Sequence, residues 1–163
     1  MNSSLKPQII DLILDDLQQA YQGAMHAADQ AHSAATDDQS VAETQYDTLA
    51  IEAAYLAHGQ SQRVAECLSD LNAYKQLKAA LPPSLHEVVL GCLVHIIDED
   101  DNGKWVFFGP TAGGIKVSLE QYEVVVVTPT SPLGEALLGL GVGEEAEVHL
   151  GGKVVFYEVD VIY

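Results

Sequence analysis

Ile10-Asp-Leu-Ile-Leu-Asp-Asp-Leu-Gln-Gln-Ala-Tyr-Gln-Gly-Ala-Met-His-Ala-Ala-Asp-Gln-Ala-His-Ser-Ala-Ala35 is the stretch whose reading decides the fold. Within it Ile10, Leu14, Leu17, Tyr21, Ala24, Ala28, Ala31 and Ala35 follow one another at alternating steps of four and three. That is the spacing of a coiled-coil seam, and it predicts a long helix with a narrow apolar face. The pattern stops at Thr36-Asp-Asp-Gln-Ser40. A second helical pattern starts near Glu43, with Tyr46, Leu49, Ala53, Leu56, Gln60, Val64, Cys67, Leu71 and Tyr74 on its inner face. So short a break between two long helices predicts an antiparallel hairpin. A helix of about 28 residues is roughly 42 Å long, which puts the acids at the bend far from the open end. Such a shape suits a probe better than a pocket.

Composition changes at Leu81-Pro-Pro-Ser84, where two prolines oppose a continued helix, so a domain boundary is expected near residue 82. Beyond it, residues 88–97, 104–108, 115–117 and 123–128 are rich in Val, Ile and aromatic residues and are separated by Asp, Gly and Pro clusters, as short strands are. Ser131 before Pro132 is a helix start, Leu133, Ala136, Leu137 and Leu140 make an apolar stripe, and Gly141 is the expected stop. Two closing strands, 145–150 and 154–162, are joined by the Gly151-Gly152 turn. The fold class is therefore α+β. A helical coiled-coil hairpin over residues 1–81, with its tip near 36–43, precedes a small antiparallel sheet domain with one short helix over 82–163.

The chain has 163 residues, 48% of them hydrophobic, enough to bury a core and to exclude disorder as a global state. Acidic residues number 24 against 7 basic, a formal charge of −17. That balance argues against broad contact with nucleic-acid phosphates, and no basic cluster or recognition motif points to sequence-specific DNA binding. A basic partner surface and plain solubility both account for the charge. No segment reaches the roughly 18 uninterrupted apolar residues of a membrane span, and Met1–Leu17, with Lys6, Asp11, Asp15 and Asp16, reads neither as a signal peptide nor as an anchor. Cys67 on a helix face and Cys92 in an apolar run read as small buried hydrophobes, so a reducing cytoplasm is the expected location.

Asp37, Asp38, Glu43 and Asp47 lie in or beside the bend. Hard oxygen ligands at an exposed tip can hold Mg²⁺ weakly, with a partner completing the shell, and the same acids also suit helix capping and the helix dipole. Asp98-Glu-Asp-Asp-Asn-Gly103 opens like a calcium loop, but Gly109 stands where the bidentate Glu belongs and strands flank it, so a hairpin turn is expected. The six histidines form no metal motif, and Thr111-Ala-Gly-Gly-Ile115 lacks the Lys-Ser/Thr of a phosphate loop. No catalytic centre of its own is expected.

Thr130-Ser-Pro-Leu-Gly-Glu-Ala-Leu-Leu-Gly139, Gly143-Glu-Glu-Ala-Glu-Val148 and Gly151-Gly-Lys-Val-Val-Phe-Tyr-Glu-Val159 resemble the C-terminal domain of the bacterial Gre transcript-cleavage factors, GreA and GreB. Ala42-Glu-Thr-Gln-Tyr-Asp47 and Glu52-Ala-Ala-Tyr-Leu-Ala-His-Gly-Gln-Ser-Gln-Arg63 resemble the tip and descending helix of the same family. The resemblance implies a C-terminal domain of FKBP-like fold that docks on bacterial RNA polymerase. Ser131 and Pro132 match the family's docking segment. It also implies a hairpin tip that enters the secondary channel, meets the nascent RNA indirectly and helps hold a Mg²⁺ ion shared with the polymerase. No cofactor is then bound stably by the factor alone. Aligned on Tyr46, Gln39 and Ala42 occupy the positions of the family's tip Asp and Glu, and Asp38 and Glu43 each stand one residue away. Gln45 likewise replaces the Glu before the tyrosine. On this reading the chain is an accessory factor for elongation and stimulates cleavage of backtracked RNA through Asp38 and Glu43. The alternative is a channel-occupying modulator that does not promote cleavage.

Overall fold

The computed structural model describes residues 5–36, 48–82 and 86–163. Helix α1 runs Lys6–Thr36 and helix α2 Thr48–Ala79. Lys6 Nζ donates to Pro82 O at 3.0 Å and Lys78 pairs with Asp11, so α2 descends as α1 ascends and the two are antiparallel. By contacts the chain forms two compact units, Met1–Leu14 with Ala73–Tyr163, and Asp15–Asn72.

On α1 the expected seam holds: Ile10, Leu17, Ala24 and Ala31 are buried, and Leu14, Tyr21 and Ala28 are half-buried. On α2 it needs one correction. Ala53, Ala57, Gln60, Val64, Cys67, Leu71 and Tyr74 keep an unbroken four-three alternation and are half-buried or buried. Leu56, three residues after Ala53, falls off that line and is 56% exposed. Tyr46 lies outside the described residues.

Six strands follow: β1 Leu93–Asp98, β2 Gly103–Phe108, β3 Lys116–Leu119, β4 Tyr122–Val127, β5 Glu145–Leu150 and β6 Lys153–Ile162, with α3, Pro132–Leu137, between β4 and β5. The sheet order is β3-β4-β2-β1-β6-β5. Four pairings are antiparallel, as expected, and β2 with β4 is parallel. The parallel pairing arises because residues 109–115 carry the chain over to an outer hairpin, whose second strand returns beside β2 in the same direction. β1 starts five residues later than the sequence reading, because Gly91 takes a φ of +86 that breaks the extended run. The helix α3 ends at Leu137, four residues before the expected stop at Gly141. Gly139, with φ +81, turns the chain out, and Gly141 instead bridges to Glu87.

One face of the sheet holds Val94, Ile96, Val106, Phe108, Ala146, Val148, Tyr157, Val159 and Ile162, covered by Leu137 and flanking residues of α3. Strand alternation sends Leu93, Phe107, Val124 and Val126 to the other face, where they too are buried. Tyr74 belongs to this second layer. It stands against Gly109 beside Val126, and its hydroxyl donates to Thr111 O at 2.9 Å. Burial draws the Lys6 ammonium below the usual lysine range and pushes the Cys92 thiol up, each opposed by the other's charge.

Candidate functional site

The start of α3 is the one predicted site the structure describes. Thr128-Pro129-Thr130 leads out of β4, and Ser131, extended at φ −82 and ψ 152, caps the helix. Its Oγ accepts from Gly134 N at 3.1 Å and donates to Thr128 O at 2.8 Å, and its carbonyl accepts from Glu135 N at 2.8 Å. Pro132 occupies the first turn, where its missing N–H leaves no intrahelical bond unmade, and its ring is exposed. Gly134 is required here, since a Cβ would strike Thr128 O. Ser131 is thereby held rigidly while Pro132 faces solvent, an arrangement suited to presenting one apolar ring to a partner.

Beside that ring lies an open groove of about 450 Å³ lined by Pro132, Glu135, Ala136, Glu147 and His149. Glu147 and His149 project outward from the edge strand β5, their side chains 3.1 Å apart. Neither residue was singled out from the sequence. The period-two alternation of 145–150 already places Glu145, Glu147 and His149 on one face, and it is the signal that would have found them.

Asp37, Asp38, Glu43 and Asp47, the predicted tip acids, lie outside the described residues. On the described part of α2, Ile51, Ala54, Tyr55 and His58 follow at i, i+3, i+4 and i+7 and line a shallow groove. Ile51 is 48% and Tyr55 75% exposed, an apolar row that faces outward. Arg63 is the one basic residue of Asp15–Asn72, and it pairs with Glu66 at 3.4 Å. Among the described residues no cluster of three potential metal ligands occurs, and no helix is long and apolar enough to cross a membrane.

The Asp98 run forms the β1–β2 turn. The Asp98 carboxylate accepts from the backbone N–H groups of Asp100 and Asn102 and from the Asn102 side chain. These bonds, the Asn102 N–H foremost, hold its pKa below the usual carboxylate value.

No protein-family profile matches the chain. It is 33% identical over 103 residues to transcription elongation factor GreA of Nautilia profundicola, covering 62% of this chain and 59% of that one. It is 31% identical over 118 residues to GreA of Syntrophus aciditrophicus, covering 71% of this chain and 66% of that one. The match thus spans less than two thirds of either relative's length. The crystal structure of GreA factor homolog 1 (Gfh1) of Thermus thermophilus aligns over 92% of this chain and 94% of its own at 17% identity, with a TM-score of 0.36. Over the part of each relative that it spans, the chain is thus similar in sequence to GreA transcription elongation factors.

Proposed function

We propose that this chain binds bacterial RNA polymerase as an elongation factor, docking through Ser131 and Pro132 and offering its hairpin tip to the secondary channel. The observation that carries the reading is the sequence match to two GreA proteins. The start of α3 supports it, because Pro132 is exposed on a capped and rigid turn. The apolar row Ile51, Ala54, Tyr55 and His58 supports it as well, being a surface that a protein wall can cover.

Catalysis in this scheme belongs to the polymerase. Asp38 and Glu43 bring carboxylates close to its active centre, where hard oxygens favour a second Mg²⁺ and activation of water. Asp37 and Asp47 add negative charge around them. The test is cleavage in purified backtracked elongation complexes with Mg²⁺, with polymerase binding recorded in the same samples. Faster RNA cleavage that is lost in Asp38→Ala/Glu43→Ala is the expected result, and absence of binding overturns the proposal.

Gln39 and Ala42, at the positions of the family's tip acids, favour a second reading: a channel occupant that competes with other factors without promoting cleavage. Binding with unchanged cleavage, together with displacement of a cleaving factor, is its signature.

A further inference from the structure

On the sheet face opposite α3, four rings form a ladder outside the buried layer. Trp105 on β2 lies 4.6 Å from His95 on β1 and 6.1 Å from Tyr122 on β4, centroid to centroid. Tyr163, just past β6, stacks on Trp105 at 6.0 Å and 14°. All four are half-buried, so a part of each ring meets solvent. Nothing in the proposed polymerase docking uses them.

A one-residue bulge completes the patch. His95 pairs with Val161 and Ile96 with Val159, which leaves Asp160 as an extra residue on β6. Val159 and Ile162, three apart, both reach the core, so Asp160 and Val161 are both turned away from it. The bulge thus aims the Asp160 carboxylate at His95, whose Nδ1 lies 2.8 Å from Oδ2. Gly103 makes room for that ring, since a Cβ there would collide with His95 Nε2. Asp160 keeps 43% of its side chain open to solvent.

Charge decides what such a face can take. Strand alternation sends Lys104 and Lys116 to the opposite face, where they meet Tyr157 and Glu123. Lys153 stands at the far end of β6. A carboxylate beside electron-rich ring faces, on a chain of formal charge −17, disfavours anions and suits a cation that is also flat. A guanidinium has both properties: it stacks on an indole or phenol and donates two parallel hydrogen bonds to a carboxylate.

We propose that the His95–Trp105–Tyr122–Tyr163 face, with Asp160 at its rim, is a docking site for an arginine-bearing segment of a partner protein. The site is independent of polymerase docking at Ser131 and Pro132.

Trp105 is the single tryptophan of the chain, so its fluorescence reports directly on this face. The full chain is titrated with acetyl-Arg-Gly-Arg-amide, with the lysine and glutamate analogues, and with oligouridylate. The expected result is a saturable change in emission with the arginine peptide, weaker with lysine and absent with glutamate. Asp160→Asn is expected to weaken arginine binding about tenfold, as loss of a charge-assisted hydrogen bond does. Tyr122→Leu leaves the His95–Asp160 pair in place and is expected to weaken it as well, with melting curves verifying that each variant is folded. Unchanged emission, equal affinity for the arginine and lysine peptides, or equal affinity in Asp160→Asn overturns the proposal. Tighter binding of oligouridylate would assign the face to single-stranded RNA and overturn it too.

Discussion

The two stretches of the helical hairpin are filled by different residues. Ile9, Ile10, Ile13 and Tyr74 belong to the compact unit that contains the sheet, and all four are fully buried. In Asp15–Asn72 the seam is made instead by Ala24, Ala28, Ala31, Ala53 and Ala57, of which Ala24 and Ala31 are buried and the others only half-buried. Alanine keeps helix propensity high, yet it removes little apolar surface from water. One unit is therefore held by packing, and the other rests far more on its own helical propensity and on Leu17, Cys67 and Leu71. Free energies of local opening should differ accordingly.

A pair of core variants offers the hardest test of that contrast. Phe107→Ala, in the second layer of the sheet, is expected to destabilise by about 3–5 kcal/mol, as buried aromatic deletions do. Ala24→Gly should lose only about 1 kcal/mol, the propensity difference within a helix. Urea titrations followed by circular dichroism compare the two, and equal losses would break the distinction.

The buried cysteines sharpen it further, because each unit contains one: Cys67, 3% exposed, and Cys92, fully buried. Under native conditions a thiol reagent should modify Cys67 at least about tenfold faster, since a difference of about 1.4 kcal/mol in opening free energy is already tenfold. The elevated pKa of Cys92 slows its reaction further, so rates at several pH values separate thiolate fraction from opening. Equal opening rates would mean that the units open together.

The smallest expected effect is at the β1–β2 turn. The Asp98 pKa is lower in the folded chain than its ordinary 3.8, so the folded state binds this proton less tightly than the unfolded state. Its contribution is present in full above the ordinary value and is lost as the pH falls through the lowered one. Asp98→Asn should remove that part of the acid dependence, with a small loss of melting temperature at neutral pH that disappears below the lowered value. Thermal melts between about pH 2 and 7 check this against the carboxylate range.

Much of the fold was legible because the signals are local. The heptad positions Ile10, Leu17, Ala24 and Ala31 could be read directly, and so could the Ser131-Pro132 helix start and the Gly151-Gly152 turn, both glycines of which have positive φ. Misreadings arose where the local pattern allowed two answers. Leu56 outranks Ala57 on hydrophobicity, but the four-three alternation selects Ala57, and Gly139 lies close enough to Gly141 to be the real stop. What pairing partners impose from a distance was not legible at all. The parallel alignment of β2 with β4 depends on where an outer hairpin returns, and the bulge at Asp160 depends on a strand more than sixty residues away. Of the candidate site, the helix start was readable from residues 131 and 132, whereas its neighbours Glu147 and His149 arrive from another strand.

The position of β6 between β1 and β5 has a consequence for the chain while it is being made. Leu93 and Tyr163 exchange both of their backbone hydrogen bonds, at 3.1 and 2.9 Å, so one side of β1 stays unpaired until β6 has been translated. At about 5–20 residues per second that is a wait of several seconds, during which Leu-Val-His-Ile-Ile is an open edge on a nascent chain. Such an edge invites neighbouring nascent chains on the same message to pair with it. The acids Asp98, Glu99, Asp100 and Asp101 stand directly after it, and like charges at that end disfavour pairing between identical copies.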